Sequence, residues 1–216
     1  MSVAIPVQSL ELTPGSAVSI HNLSWEEFED ILSDLGESRS VRLTYYRGTL
    51  ELMSPKAIHE RPHRIIADIV KALLDASDRD WEDFGSTTFK RPQLAGVEPD
   101  SCLYIDNALR VRGCTDMNLE AYPPPDLAIE CDVTSRTTLQ VYQLLEVPEV
   151  WIYSDGQLTI YRLTDEKTYE SKGASGIFPN IDLIERIPKL VQAAIAEGTS
   201  KMLRQLRADL ARSNNG

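Results

Sequence analysis

Acidic residues set at strand periodicity are the first features of the sequence able to do chemistry. In DLAIECDV (126–133), alternation puts Asp126, Ala128, Glu130 and Asp132 on one face and Leu127, Ile129, Cys131 and Val133 on the other. In VEPDSCLYI (97–105), Glu98, Asp100 and Cys102 share a face. If these strands are neighbours, Asp100 and Glu130 come within a few ångströms of each other. Like charges that close need a proton, a nearby Lys or Arg, or a divalent cation between them. Carboxylates with a backbone carbonyl suit Mg²⁺ or Mn²⁺, which take hard oxygen ligands. The plainer alternative is a solvent-exposed strand face whose acids are simply hydrated.

Residues 59–63, His-Glu-Arg-Pro-His, spell the HExxH of zinc peptidases, and Glu82 follows His63 by nineteen residues. That chemistry needs both imidazoles one turn apart on a continuous helix. Pro62 opposes this, because its ring clashes with the preceding turn outside the first turn of a helix. His59 and His63 are therefore expected at the rim of a site or in solvent.

The elements that must position these residues are readable from pattern. Residues 1–20, with Pro6, Pro14 and Gly15, read as a flexible N-terminal tail, and 21–216 as a single domain. Ser24 and Glu27 form a capping box ahead of Phe28, Ile31, Leu32 and Leu35, and Gly36 ends that helix. VRLTYY and TLELM alternate about Arg47-Gly48, which predicts a hairpin. From Ile65, apolar residues recur at helical spacing through Leu74. Strands are expected at 84–90, 97–105 and 126–133, then a short helix near 137–146. A further hairpin turns at Asp155-Gly156, and the chain from about Ile181 is helical. This order predicts an α/β fold with one central mixed sheet flanked by helices.

Composition narrows the function classes. With 216 residues, 42% hydrophobic and 25% charged, the chain is of ordinary globular type and long enough for one sizeable core. No apolar run approaches the ~20 residues of a membrane span. Cys102, Cys114 and Cys131 cannot all pair and contain no CxxC, so a reducing, cytoplasmic location is expected. The net charge of −11 repels nucleic acid on average. Residues 186–216 nevertheless hold six bases and two acids, so a polyanion would have to enter over a local basic rim. Candidates for it are Arg61, Arg64, Lys90, Arg91, Arg110, Arg112 and Arg136. Lys201, Arg204 and Arg207 line one side of the last helix, by default a solvated face. Tyr142, Trp151 and Tyr153 read as packing.

VEPDS, then PPPDLAIECDVTS, then VPEVWIY resemble the Uma-type restriction endonuclease family of the PD-(D/E)XK nuclease superfamily. YRGTLELMSP, the His59-Glu60 pair and GSTTFKR extend the resemblance over roughly residues 20–190. It implies a restriction-endonuclease-like core with a basic C-terminal helix, a divalent metal (Mg²⁺, with Mn²⁺ possible) and DNA as substrate. By this resemblance Pro99-Asp100 matches the PD element and Glu130 the following acid, with the Cys131 carbonyl as third metal ligand. Glu60 matches an acid that completes the cluster. The motif lysine should stand at 132, where this chain has Asp132, a residue that would support the metal's ligands from behind or help hold a second metal. Lys90, on the preceding strand, is the candidate replacement that would steady the attacking water. A nuclease cutting both strands often dimerises, so a homodimer is expected. Two rivals stand beside the nuclease: an inactive nucleic-acid or protein-binding module on the same fold, and a zinc peptidase.

Overall fold

The computed structural model describes residues 7–36, 39, 41–55, 57–131 and 138–213 (apart from the side chains of 8 and 57–59), and a short 3₁₀ turn at Val7–Ser9 precedes its first strand. This strand, β1 (Ala17–Ile20), pairs antiparallel with a later one, so residues 17–20 belong to a sheet and not to a tail. Helix α1 (Trp25–Leu35) starts at the expected capping box. Ser24 Oγ accepts from the Glu27 amide at 3.1 Å, and the Glu27 carboxylate accepts from the Ser24 amide at 2.8 Å. The hairpin β2 (Arg42–Tyr46) and β3 (Thr49–Met53) turns through Arg47 and Gly48, both at positive φ, as a two-residue loop matched to strand twist requires.

Helix α2 (Ala57–Ala76) begins eight residues before the periodic stripe and runs through Pro62. The proline therefore does not mark the start of the helix. Strands β4 (Glu82–Asp83), β5 (Phe89–Arg91), β6 (Ala95–Val97) and β7 (Ser101–Tyr104) follow, then one turn of helix, α3 (Ala108–Val111). Strand β8 (Leu127–Cys131) and helix α4 (Thr138–Leu145) lead to β9 (Glu149–Ser154), β10 (Gln157–Leu163) and β11 (Tyr169–Lys172). Helices α5 (Leu183–Glu197) and α6 (Thr199–Ser213) end the chain, separated at Gly198, whose φ of 103° suits glycine.

The strands form two sheets. One is antiparallel, ordered β1-β3-β2-β6-β5; the other is mixed, ordered β11-β10-β9-β8-β7-β4, with β8 and β9 parallel. The expected mixed sheet is present with helices against it, but the hairpin joins a second sheet instead of decorating the first. The division falls within VEPDSCLYI. Pro99 has no amide hydrogen to give a ladder, so the stretch cannot continue as one central strand. Residues up to Val97 pair with β2 and β5, and residues from Ser101 pair with β8.

Both faces of β8 are covered, and all five of its residues are buried. Leu127 and Ile129 pack with Ile66, Ile69 and Leu73 of α2 and with α5 and α6. Ala128 packs on the other side with Val141 and Tyr142 of α4 and with Val97 of the antiparallel sheet. A hydrated strand face for its acids is thereby excluded. A third cluster holds α1 against β2 and β3. Phe28, fully buried, stacks on Tyr45 at 4.6 Å and lies over Gly96, where a Cβ would come 3.0 Å from its ring. Phe28→Ala should therefore cost about 3–5 kcal/mol of stability, read from denaturant midpoints. A loss below about 1 kcal/mol would show that α1 is held by other contacts.

Candidate active site

The register Ser101↔Ile129 and Cys102↔Ala128, carried one residue further, sets Asp100 opposite Glu130. Their carboxyls are 9% and 8% exposed as residues, so the pair is buried as well as adjacent. Backbone and side chains hold it in place. Asp100 Oδ2 accepts from the Cys131 amide at 2.8 Å, and the Asp100 amide donates back to the Glu130 carboxylate. The Tyr142 hydroxyl, from α4, donates to Glu130 Oε1. Tyr142 thus does more than pack: it is fully buried, and its one polar atom is spent on the acid.

Helix α2 brings Glu60 and His63 to the same place. They are three residues apart and so share a helix face. His63 is 2% exposed, and its Nδ1 lies 2.9 Å from Ser101 Oγ. Its Nε2 lies 3.4 Å from Glu60 Oε2, without a hydrogen bond of acceptable geometry. One potential ligand atom from each of Glu60, His63 and Asp100 falls within 4.8 Å of the others. From the antiparallel sheet, Arg42 reaches in: Nη2 is 3.6 Å from Glu60 Oε1, and Nε is 4.0 Å from Asp100 Oδ1. Arg64 also binds Glu60, at 3.1 Å.

Burial dominates the electrostatics. It pushes the Glu130 carboxyl well above the ordinary range and Asp100 pushes it further, against the pull of Tyr142 and the Asp100 amide. Asp100 is raised by burial too, opposed by His63, the Cys131 amide and Arg42. Burial lowers His63, against the opposing pull of the neighbouring Asp100 and Glu60. Burial would raise Glu60, but His63, Arg42 and Arg64 together hold it below its usual value.

A polar cleft of about 750 Å³ adjoins this group. Arg42 belongs to both, and Arg39, Lys90, Glu29, Thr88 and Glu98 line the remainder with others. Lys90 lies 2.9 Å from Glu29 of α1, and no contact joins it to Asp100 or Glu130 among the described residues. Glu98, expected on the same face as Asp100, lies instead on the other side of the Pro99 break. There it binds Arg39, Thr88 at 2.6 Å and the Leu43 amide. Asp132 and Arg136 lie outside the described residues, as does the His59 side chain.

The expected basic rim is largely committed elsewhere. Arg91 pairs with Glu146, Arg112 with Asp80 and Glu82, and Arg110 donates to Asn107. Glu82, the would-be third zinc ligand, is thus held by Arg112 on the edge strand β4. Lys201 pairs with Glu197, consistent with a solvated face on α6. Of the expected rim, Arg64 does reach the acids, through Glu60; Arg39 and Arg42, which also face the acids or the cleft beside Lys90, are not evident from pattern. The one signal for Arg42 is its place as a polar member of an alternating strand. His63, expected at a rim, is instead buried, and it sits three residues before Ile66 on the apolar stripe of α2.

The family described as "Putative restriction endonuclease" (Uma2) matches residues 25–195. The chain belongs to this family. A crystal structure of a putative nuclease belonging to DUF820 from Anabaena variabilis ATCC 29413 is similar in fold. Its TM-score is 0.54 at 14% identity, over 78% of this chain and 99% of that one. No curated protein matches the chain. Among the described residues no helix is long and apolar enough to cross a membrane. The Uma2 match favours a nuclease-like reading of α2 over a peptidase, although the helix itself is continuous.

The raised Glu130 carboxyl makes a pH prediction. A group lifted in the folded state keeps its proton there while the unfolded chain loses it above ~4.3. Stability is then fully present at lower pH and is lost as pH rises through the folded value. Glu130→Gln removes that titration. In chelator-treated samples, the variant's stability relative to wild type should improve as pH rises above about 4. A difference in unfolding midpoint that is flat with pH would show that Glu130 is not displaced.

Proposed function

We propose that this Uma2 protein is a metal-dependent endonuclease that hydrolyses DNA phosphodiesters at the Asp100–Glu130 pair. The observation that carries the reading is that pair itself: two carboxyls opposite each other on adjacent strands, buried and facing no hydrated surface. Keeping two buried like charges together is costly unless a proton, a basic side chain or a cation joins them. The residues present fit one. His63 Nε2 is a buried atom without a hydrogen bond, aimed into a group of carboxylates, and Arg42 offsets only part of their charge.

In this reading Asp100, Glu130 and the Cys131 carbonyl would hold Mg²⁺ or Mn²⁺, with Glu60 completing the acidic group. A divalent cation, when bound, lowers the pKa of water and offsets charge building on phosphate oxygens. The remaining work falls to the chain. The Cys131 amide fixes Asp100, and Tyr142 fixes Glu130. Arg42 stands between the acids and the cleft, where it can bind a phosphate oxygen of the strand to be cut. Lys90, further along the cleft and paired with Glu29, would steady water or an adjacent phosphate. Asp132 would act from outside the metal's immediate ligands. The homodimer expected for cutting both strands is supported by neither comparison.

The test is nicking of supercoiled plasmid with Mg²⁺, Mn²⁺ or EDTA. Asp100→Ala and Glu130→Ala should each lower the rate by roughly 10²-fold or more while remaining folded. Lys90→Ala should raise the DNA concentration needed for half-maximal rate more than it lowers the limiting rate. Wild-type cleavage by either alanine variant would refute the site. A second reading, an inactive binding module, is favoured by Asp132 in the lysine position and by the net charge of −11. Folded wild type that binds DNA but never nicks it, across these metals, would establish that reading instead.

A further inference from the structure

We propose that His63 Nε2 is itself a metal ligand, together with Glu60 and Asp100, and that this imidazole makes the centre prefer a first-row transition-metal dication to Mg²⁺. The proposal rests on the presence of a divalent cation at the site and specifies which residues select it. Three side chains from two elements converge there, with ligand atoms within 4.8 Å of one another. An acidic cluster alone would not single out a metal, since Arg42 already lies against two of its members. The imidazole is what does so.

His63 is 2% exposed and its two nitrogens have different surroundings. Nδ1 is held by Ser101 Oγ at 2.9 Å. When Nδ1–H donates to that hydroxyl, the Nε2 lone pair is left facing the carboxylates. A buried nitrogen in that position, 3.4 Å from Glu60 Oε2 but without a well-formed hydrogen bond, lacks the partner that buried polar atoms nearly always have. A cation bridging Nε2, Glu60 and Asp100 supplies it. Ser101 then acts as the outer hydrogen-bond partner that fixes ring orientation at imidazole–metal sites. Asp100 is likewise braced by the Cys131 amide on Oδ2, with Oδ1 4.0 Å from Arg42 Nε.

Selectivity follows from ligand type. Mg²⁺ favours oxygen and keeps its waters, whereas an imidazole adds affinity for first-row transition metals. Mn²⁺ binds most weakly in that series, so a preference measured with Mn²⁺ is a lower bound for the others.

The experiment is calorimetric titration of the chelator-treated full chain with Mn²⁺ and with Mg²⁺. The variants are His63→Gln and Ser101→Ala, with folding checked by circular dichroism. Wild type should bind Mn²⁺ on the order of tenfold or more tightly than Mg²⁺. His63→Gln should lose on the order of tenfold in Mn²⁺ affinity and little in Mg²⁺ affinity. Ser101→Ala should fall between the two proteins. Pulsed EPR of Mn²⁺-loaded wild type should show coupling to a ¹⁴N nucleus, a readout that needs no variant to fold. Unchanged selectivity in folded His63→Gln, or the absence of nitrogen coupling, would overturn the ligand assignment. Continued nicking in that case would leave the nuclease reading intact. Nitrogen coupling in a wild type that never cuts DNA would do the reverse. A wild type that binds neither ion would end both.

Discussion

The site depends on one unfavourable proximity, that of Asp100 and Glu130 across the β7–β8 ladder. Their alignment is not adjustable, because a shift of one residue would turn every core side chain of β8 to the wrong face. Leu127 and Ile129 are committed to α2, and Ala128 to α4. The apolar packing on both sides therefore forces the two carboxyls together. What makes the arrangement tolerable is three donors, two backbone amides and the Tyr142 hydroxyl, with the charge of Arg42 nearby. Each is supplied by a different part of the chain, so the acids are built into the fold and cannot relax outwards into water.

Pro99 is the second constraint, and it acts through geometry. By ending one ladder and letting another start two residues later, it gives the chain two sheets at the point where the acids begin. Glu98 stays with the antiparallel sheet and secures Arg39 and Thr88 on the cleft wall. Asp100 passes to the mixed sheet and meets Glu130. A single uninterrupted strand would have placed Glu98 and Asp100 on one face. Helix α1, fixed by Phe28 over Gly96, closes the far wall and brings Glu29 to Lys90.

Much of this was legible in the sequence wherever a period or a cap is local. The capping box at Ser24 and the Arg47-Gly48 turn each follow from a few neighbouring residues, whereas the facing of Asp100 and Glu130 also needs β7 and β8 to be neighbours. The errors come from information that is not local. Alternation across VEPDSCLYI looks unbroken until Pro99 is weighed as a missing donor. Residues 17–20 look like a tail until β3 supplies a partner. Pro62 looks like a helix boundary, yet the stripe of α2 docks against β8 firmly enough for the helix to extend through it. His63 was misread for the same reason, since its position on the buried stripe was outweighed by the proline beside it. Arg42 was missed because an arginine in a hairpin strand carries no motif, and its role arises only where two sheets meet.

The aspartate at 132 changes what the site can do with the groups it retains. A lysine can both bind phosphate and, when its pKa is lowered, exchange a proton with water. A guanidinium can do only the first, because it stays protonated throughout the accessible pH range. If Arg42 takes the cationic part of the missing lysine's role, proton removal must fall to a different kind of group. The carboxyls are the available class, and burial raises Glu130 and Asp100 above their ordinary values, the direction that makes a carboxylate a stronger base. A bound cation works against that shift by stabilising their charged forms. The carboxylate nearest the metal is then the poorer base, and one held at a distance from it the better. In the proposed site, an acid at position 132 where the resembled motif has a lysine means that one class of group, the carboxyls, would both hold the metal and take the proton.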